Sequence, residues 1–490
     1  MERRFQGVVT TGIYCRPGCR AQPKAENTRG FEFAAAAEAE GFRPCLRCRP
    51  DQGPGWPDWL GPSELVCRAL HLIGQGALDD AGADDLAVRL GVGTRHLRRL
   101  FEEHVGASPV AIARSRRAHF ARRLLDETDL SVTQIAFASG FSSVRQFNRT
   151  MLEIFRYPPT GLRQRRRRGD PLVADGALSV RLVYRPPLDW RAMTRYLAAR
   201  AVPGVESVDE RRYRRTIEYD GSAGLLELRP DPGDSHLVLT VDLPRLDGLI
   251  HVVEQARRIF DLGADPSAIA GALRRDPALA PLVTARPGLR VPGAWDPYEV
   301  GVRAVLGQQI SVAAATNLAG RLVATLGRRV AVGDTDVGRL FPPPEVLAAA
   351  DLTTLGVPGA RAETLQAFAA AIAAGDLSLD SAHGLDSLVT ELESIRGIGP
   401  WTAHYIAMRA CAEPDAFPAG DLGLRRAFAQ ETNAKASPGN GTTPVTAAQL
   451  GRHAEAWRPW RAYAAMHLWT AGTVSGNGQT GARARVTTAA

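Results

Sequence analysis

Between residues 63 and 162 apolar residues recur at helical spacing, with few strand signals. Two stretches share one plan. LAVRLGVGTRHLRRLFEEHVGASP (86–109) reads as a short helix, a turn at Gly91 and a second helix, and VTQIAFASGFSSVRQFNRTM (132–151) repeats it with the turn at Gly140. By period, Leu86, Leu90, Leu97, Leu100, Ile135, Phe141 and Phe147 belong to a core. From about 178 the pattern changes to short alternating stretches, LSVRLVY, YRRTIEY, GLLELRP and HLVLTVD, which read as antiparallel strands. Helices are expected between them near 188–201 and 245–261. From about 295 to 470 the chain is helix after helix, rich in Ala and Leu. DQGPGWPDWLGP (51–62) has the Pro and Gly content of a linker. RQRRRRGD (163–170) is too charged to pack and reads as a second, solvated linker. The last residues, 476–490, carry no apolar period and are expected to be disordered.

The chain has 490 residues, enough for several cores, and its 45% hydrophobic and 23% charged content is ordinary for a globular protein. No apolar run approaches the ~18 residues of a membrane span. The start, Met1-Glu-Arg-Arg-Phe-Gln, lacks the apolar core of a signal peptide. A cytoplasmic protein without a membrane partner is expected. The formal charge of +8 is uneven: residues 1–170 hold 27 Lys+Arg against 19 Asp+Glu, and the remaining 33 and 33 cancel. A basic N-terminal third points to a polyanion, most simply nucleic acid.

Four of six cysteines fall in the first 50 residues, as Cys15-x3-Cys19 and Cys45-x2-Cys48. Two close pairs can complete a tetrahedral sulfur shell, which favours zinc; a purely structural site remains open on spacing alone. The second helix of each repeated unit carries groove-reading side chains: Arg95, Arg98 and Arg99 in the first, Arg145, Gln146 and Arg149 in the second. Further on, LESIRGIGPWTAHYIAMRA (392–410) is a helix, a tight hairpin and a helix. Gly397 and Gly399 there allow close backbone approach to a phosphate. Asp421, in FPAGDLGLRRAF, stands just before a helix, where an ordinary N-cap is the plain alternative to a catalytic carboxylate.

Several segments resemble known families. TTGIYCRPGCRAQPKAEN and GFRPCLRCRPD resemble the Ada-type zinc domain, whose members usually carry a further stretch ahead of this segment. The tandem units ending in FRYPPTGLR resemble the AraC-type DNA-binding domain. YRPPLDW, LAARAV, ARPGLRVPG, GVRAVLGQQISVAAA, RGIGPWTAHY and WRPWRAYAAMHLW are similar to the AlkA-type 3-methyladenine DNA glycosylase II family of the helix-hairpin-helix superfamily. The whole chain thus resembles an Ada–AlkA fusion.

That resemblance implies a multidomain, mainly α protein. Its expected parts are a small four-cysteine zinc domain (1–52), an all-α tandem helix-turn-helix domain (63–164), an α+β antiparallel-sheet domain (178–287) and an all-α helix-hairpin-helix glycosylase domain (288–475). It implies that Cys15 accepts a methyl group from a DNA phosphotriester and that Cys15, Cys19, Cys45 and Cys48 hold one Zn2+. It makes Asp421 the glycosylase carboxylate, places Tyr196, Trp401, Tyr405 and Trp469 around an extruded base, and aligns Gln309 with the residue that intercalates in the duplex. Trp457 and Trp460 are expected in the core.

Trp401 occupies the position where strand-cutting relatives carry a Schiff-base lysine, so a monofunctional hydrolase is expected. No four-cysteine cluster follows the catalytic region, so no iron–sulfur centre is expected. The PCHRV-type motif of O6-methylguanine repair does not occur. Three departures stand out: Gln309 replaces an apolar wedge, Leu422 replaces an aromatic beside Asp421, and Arg396 replaces a proline of the hairpin. Double-stranded DNA is the implied partner, with RNA polymerase a further partner if the N-terminal part activates transcription, and a nucleoid association follows. The competing reading is a transcription regulator whose glycosylase-like half binds DNA without catalysis.

Overall fold

The computed structural model describes residues 5–19, 24–50, 63–79, 81–165, 177–233, 235–332, 336–433 and 445–480. The 51–62 linker, the arginine run beyond 165 and residues 481–490 lie outside the described residues. Arg163 and Arg165, expected in a solvated linker, instead belong to the end of the helix Pro159–Gln164 and its cap. Arg163 donates to the carbonyl of Leu130 at 2.5 Å. The last helix runs Arg461–Thr480, so residues 476–480, expected to be disordered, continue it.

The first unit is a four-stranded sheet in the order Thr28–Phe31, Phe5–Val8, Ile13–Cys15, Arg43–Pro44. The last pair is parallel, with Ile13 opposite Arg43 and Tyr14 opposite Pro44. That register sets the first cysteine of one pair beside the first of the other.

The tandem helix-turn-helix units follow. The first comprises Ala83–Arg89 and Thr94–His104, the second Val132–Ala138 and Val144–Phe155, with the long helix Pro109–Glu127 between them. Gly91 and Gly140 have φ of 68° and 77°, a left-handed conformation that supplies each turn. Ser131 and Gln134 form a reciprocal capping box, and Ser143 accepts from the Gln146 amide. Leu86, Leu90, Leu97, Ile135, Phe141 and Phe147 are buried as their period implies, with Leu100 partly buried beside them.

The α+β unit is an antiparallel sheet in the order Leu178–Val183, His236–Asp242, Ser222–Pro230, Tyr213–Tyr219, Glu206–Val208. Four strands fall on the four alternating segments; burial alternates along Ser222–Pro230, whereas His236–Leu239 are buried in succession. The edge strand Glu206–Val208 is three half-buried residues, too short to show one. The helices Pro266–Leu273 and Ala280–Ala285, within the 178–287 segment, pack through Ile269, Leu273, Leu279 and Val283 into the core of the helical unit that follows.

The units share cores. One cluster joins Ile135, Phe147 and Met151 of the second helix-turn-helix to Leu226, Leu239 and Val253 of the sheet unit. Another joins Tyr14 and Phe31 of the cysteine unit to Leu97 and Phe101 of the first helix-turn-helix. Polar contacts tie the same seams. The Arg181 amide donates to Glu127, and Asp79 takes His251 at 3.0 Å and Arg117 at 3.0 Å. Arg89 pairs with Asp380 at 2.8 Å, on the loop leading into the hairpin.

Candidate active site and DNA-facing elements

The hairpin joins the helices Leu385–Glu393 and Pro400–Arg409. Gly397 has φ of 92°, and a Cβ there would lie 2.1 Å from Thr364 Oγ1, so nothing larger fits. Gly399 caps the second helix and has open space around it, leaving the helix N-terminus free for an anion. Gln308, which the sequence reading passed over, donates to the Gly397 carbonyl at 2.9 Å and to Thr402 Oγ1 at 3.0 Å. It therefore locks the hairpin to the loop bearing Gln309. Gln309 is exposed at a φ of 58°. Side-chain exposure of Arg396 is 93%.

Asp421 precedes the helix Leu422–Asn433, and its Oδ1 accepts from the Leu424 amide at 2.9 Å. The N-cap reading is thus satisfied. The carboxylate does more. Trp401 Nε1 donates to Oδ2 at 2.9 Å, and Trp469 Nε1 donates to Oδ1 at 2.9 Å. Two indoles thereby fix the plane of a half-buried carboxylate. Gly423 permits this: a Cβ there would stand 3.0 Å from Asp421 Oδ1 and 3.6 Å from Trp469.

The aromatics converge at this point. Trp401 stacks on Tyr405 with centroids 5.3 Å apart and planes 12° apart. Tyr405 meets Trp469 edge-on at 6.2 Å. The Tyr196 and Tyr405 hydroxyls are 3.1 Å apart. All four rings are half-buried, unlike Trp457 and Trp460, which are 2% and 5% exposed and belong to the core. Leu422 is exposed beside the carboxylate. Sequence reasoning missed Arg409, a buried guanidinium bonded to both tyrosine hydroxyls. An i, i+4 Tyr–Arg pair on a buried helix face was the available signal.

In the cysteine unit the four sulfurs of Cys15, Cys19, Cys45 and Cys48 lie within 4.8 Å of one another. A tetrahedral site with metal–sulfur bonds of ~2.3 Å places its sulfurs ~3.8 Å apart, so the cluster suits a thiophilic metal. The parallel strand pair explains the geometry, as the Cys45 amide donates to the Tyr14 carbonyl at 2.9 Å. Crowding of the sulfurs shows in their titration. The hydrogen bond that Cys15 donates to Cys48, with burial and the neighbouring sulfurs, raises the Cys15 thiol, and the same hydrogen bond lowers Cys48. Cys15 and Cys45 are buried; Cys19 and Cys48 are more open. In the recognition helices Arg95, Arg98, Arg99, Arg145, Gln146 and Arg149 are exposed.

Four family models match in chain order. They are the metal binding domain of Ada (2–51), a helix-turn-helix domain (86–165), the AlkA N-terminal domain (179–296) and the HhH-GPD superfamily base excision DNA repair protein (302–450). A probable bifunctional transcriptional activator/DNA repair enzyme AlkA of Mycobacterium tuberculosis is 43% identical over 477 residues, 96% of this chain and 94% of that protein. The chain belongs to this Ada–AlkA family. Its AlkA-like half is 37% identical to DNA-3-methyladenine glycosylase 2 of Escherichia coli over 291 residues, covering 59% of this chain and 95% of that protein. The fold of that half is shared with a 3-methyladenine DNA glycosylase from Archaeoglobus fulgidus, with a TM-score of 0.53 and 21% identity over 60% of this chain and 98% of the other.

The Ada–AlkA architecture makes the protein a DNA glycosylase joined to a DNA-binding regulator of the alkylation response. The expected mainly α, multidomain organisation is present, with the cysteine cluster in the first unit and the hairpin in the last. No helix among the described residues is long and apolar enough to cross a membrane.

Proposed function

We propose that this chain excises alkylated purines of the 3-methyladenine and 7-methylguanine class by a monofunctional, hydrolytic mechanism centred on Asp421. The observation that carries this reading is the carboxylate held by two indoles at the edge of an aromatic cluster. Such bases carry ring charge and depart readily, so the site need not protonate them strongly. An ionised Asp421 stabilises the oxocarbenium-like sugar and directs water to it. Trp401, Tyr405, Trp469 and Tyr196 receive the extruded base, each ring worth about 1 kcal/mol of cation–π attraction or somewhat more when desolvated. Gly397 and Gly399 take the backbone phosphate, while Gln309 fills the vacated stack by hydrogen bonding rather than by apolar wedging.

In the N-terminal part, Zn2+ is the metal the four cysteines suit, and when bound it keeps them as thiolates. The acceptor role of Cys15 rests on its place in the motif. Its thiolate attacks the methyl carbon of a phosphotriester, the methyl–oxygen bond breaks, and the electron pair returns to a phosphodiester oxygen. Arg95, Arg98, Arg99, Arg145, Gln146 and Arg149 read the promoter, and the gain in DNA affinity on methylation brings RNA polymerase into play in a cytoplasmic, nucleoid-associated protein.

The test is to incubate the protein with methylated duplex DNA, measuring free base, strand integrity and zinc-dependent methylation of Cys15 by mass spectrometry. Free methylated base with an uncut strand supports the reading; no free base leaves only a DNA-binding regulator, and strand cutting contradicts a monofunctional mechanism.

A further inference from the structure

The chain turns between two helices within GQQIS. Gly307 caps the helix Pro297–Leu306 and Ser311 caps the helix Val312–Leu326, leaving Gln308, Gln309 and Ile310 to make the connection. The two glutamines go different ways. Gln309 is exposed at a φ of 58°, whereas Gln308 is half-buried and bonded to the hairpin. A left-handed backbone at a residue with a Cβ is strained and persists where its surroundings over-determine it.

Those surroundings form a triangle. The Gln308 carbonyl accepts from Arg361 Nη2 at 2.5 Å, which ties the loop to the helix Gly359–Ala374. The same helix carries Thr364, against which Gly397 of the hairpin is pressed so closely that a Cβ would lie 2.1 Å from its Oγ1. Gln308 Nε2 closes the third side, donating to the Gly397 carbonyl at 2.9 Å and to Thr402 Oγ1 at 3.0 Å. A backbone carbonyl only accepts, so the amide nitrogen must be the end that faces the hairpin. Among the described residues these two bonds are the hydrogen bonds that join loop and hairpin.

We propose that Gln308 is a positioning residue that ties the hairpin's hold on the DNA backbone to the insertion of Gln309, so that gripping the strand and extruding the base occur as one step. The inference rests on the glycosylase reading above and adds the part that links its two DNA contacts.

The mechanics follow from what extrusion demands. Removing a base from the stack costs unpairing and unstacking, and the duplex presses back on whatever fills the gap. Gln309 bears that load only if its own backbone does not yield. A loop held only by its flanking helices could give way while the hairpin stayed on its phosphate, and the protein would then bind the duplex without opening it. With Gln308 in place the load passes to the element that holds the backbone, and the base is levered out against its own strand.

The experiment uses the full chain and a duplex with one 7-methylguanine beside a 2-aminopurine, whose fluorescence rises when its neighbour leaves the stack. Rapid mixing records extrusion, and free base is sampled from the same reaction. Affinity for undamaged duplex and melting temperature are measured separately. Gln308→Leu keeps the bulk and removes both bonds; extrusion and base release fall together by about 5–30-fold, with affinity for undamaged duplex within about twofold. Thr402→Val leaves the Gly397 bond in place and loses about 2–5-fold. Gln308→Glu sets a carboxylate oxygen against the Gly397 carbonyl and is more damaging than Gln308→Leu. In a Gln309→Ala background the further loss from Gln308→Leu shrinks to under about twofold, because the brace acts through the side chain it positions. A merely structural role would instead lower the melting temperature and the undamaged-duplex affinity. Wild-type extrusion in Gln308→Leu, or an equal loss with and without the Gln309 side chain, overturns this inference alone. A wild-type protein that extrudes the base but never releases it overturns the glycosylase reading alone, and one that does neither overturns both.

Discussion

Replacing Trp401 by Phe keeps a ring against Tyr405 while deleting the indole N–H that reaches Asp421 Oδ2 at 2.9 Å. Among the described residues Oδ2 has that one protein donor, whereas Oδ1 has two, Trp469 Nε1 and the Leu424 amide, each at 2.9 Å. A hydrogen bond to a charged group contributes about 1.5–3 kcal/mol. Because Asp421 is half-buried, water recovers part of this, leaving roughly 1–2 kcal/mol lost in the oriented state. If orientation of the carboxylate matters in the transition state, Trp401→Phe slows base release about 5–30-fold. Trp469→Phe removes one of two donors to the same oxygen, and the amide retains the carboxylate's angle; about a 2–5-fold loss is expected. The assay is single-turnover release of 3-methyladenine at saturating enzyme, with DNA binding measured separately to exclude lost affinity. Trp401→Phe at the wild-type rate, or Trp469→Phe as the more damaging change, would refute the claim that the indoles act by orienting the carboxylate.

Gly397→Ala combines an unfavourable left-handed φ with a Cβ 2.1 Å from Thr364 Oγ1. It is expected to cost about 1–3 kcal/mol, read as a lower midpoint in denaturant and weaker binding to undamaged duplex. Glu413 is pushed up to about 8 by burial first and by Glu64 next. The folded state therefore holds this proton more tightly than the unfolded chain, and stability falls as pH rises from the ordinary glutamate range through about 8. Glu413→Gln is accordingly expected to raise the melting temperature above pH 8 and leave it little changed below pH 4, by calorimetry. Chelation of the metal, or Cys19→Ala, is expected to abolish zinc binding and lower the melting temperature of the N-terminal part, while 3-methyladenine release persists because the Asp421 cluster contains no cysteine.

Periodic features were legible. The alternation at 178–184, 213–219, 224–230 and 236–242 marks four real strands, and the two Gly-turn units marked both helix-turn-helices. The cysteine spacing announced a cluster, although only the parallel pairing of Ile13–Cys15 with Arg43–Pro44 explains how the pairs meet. What periodicity does not carry is the packing between units. Ile250 and Val253 read as one apolar stripe whether they cover a sheet alone or the second helix-turn-helix as well. Arg163 looked solvated because its charge was visible and its Leu130 acceptor, 33 residues away, was not. At the site, the motif located Asp421, but the two indole donors come from residues 20 and 48 positions away. Gln308 was hidden by its neighbour Gln309, and Arg409 by the abundance of arginine in the chain.

The central claim is that Asp421 performs the chemistry rather than merely capping a helix. Asparagine at 421 keeps an oxygen for the Leu424 amide and so preserves the cap, while removing the negative charge. The decisive measurement is release of 3-methyladenine from alkylated duplex DNA by Asp421→Asn beside the wild type, with duplex affinity and melting temperature recorded for both. Loss of release by a factor of about a hundred or more, at near-unchanged affinity and stability, is the predicted result. Release by Asp421→Asn within about threefold of wild type would contradict the account.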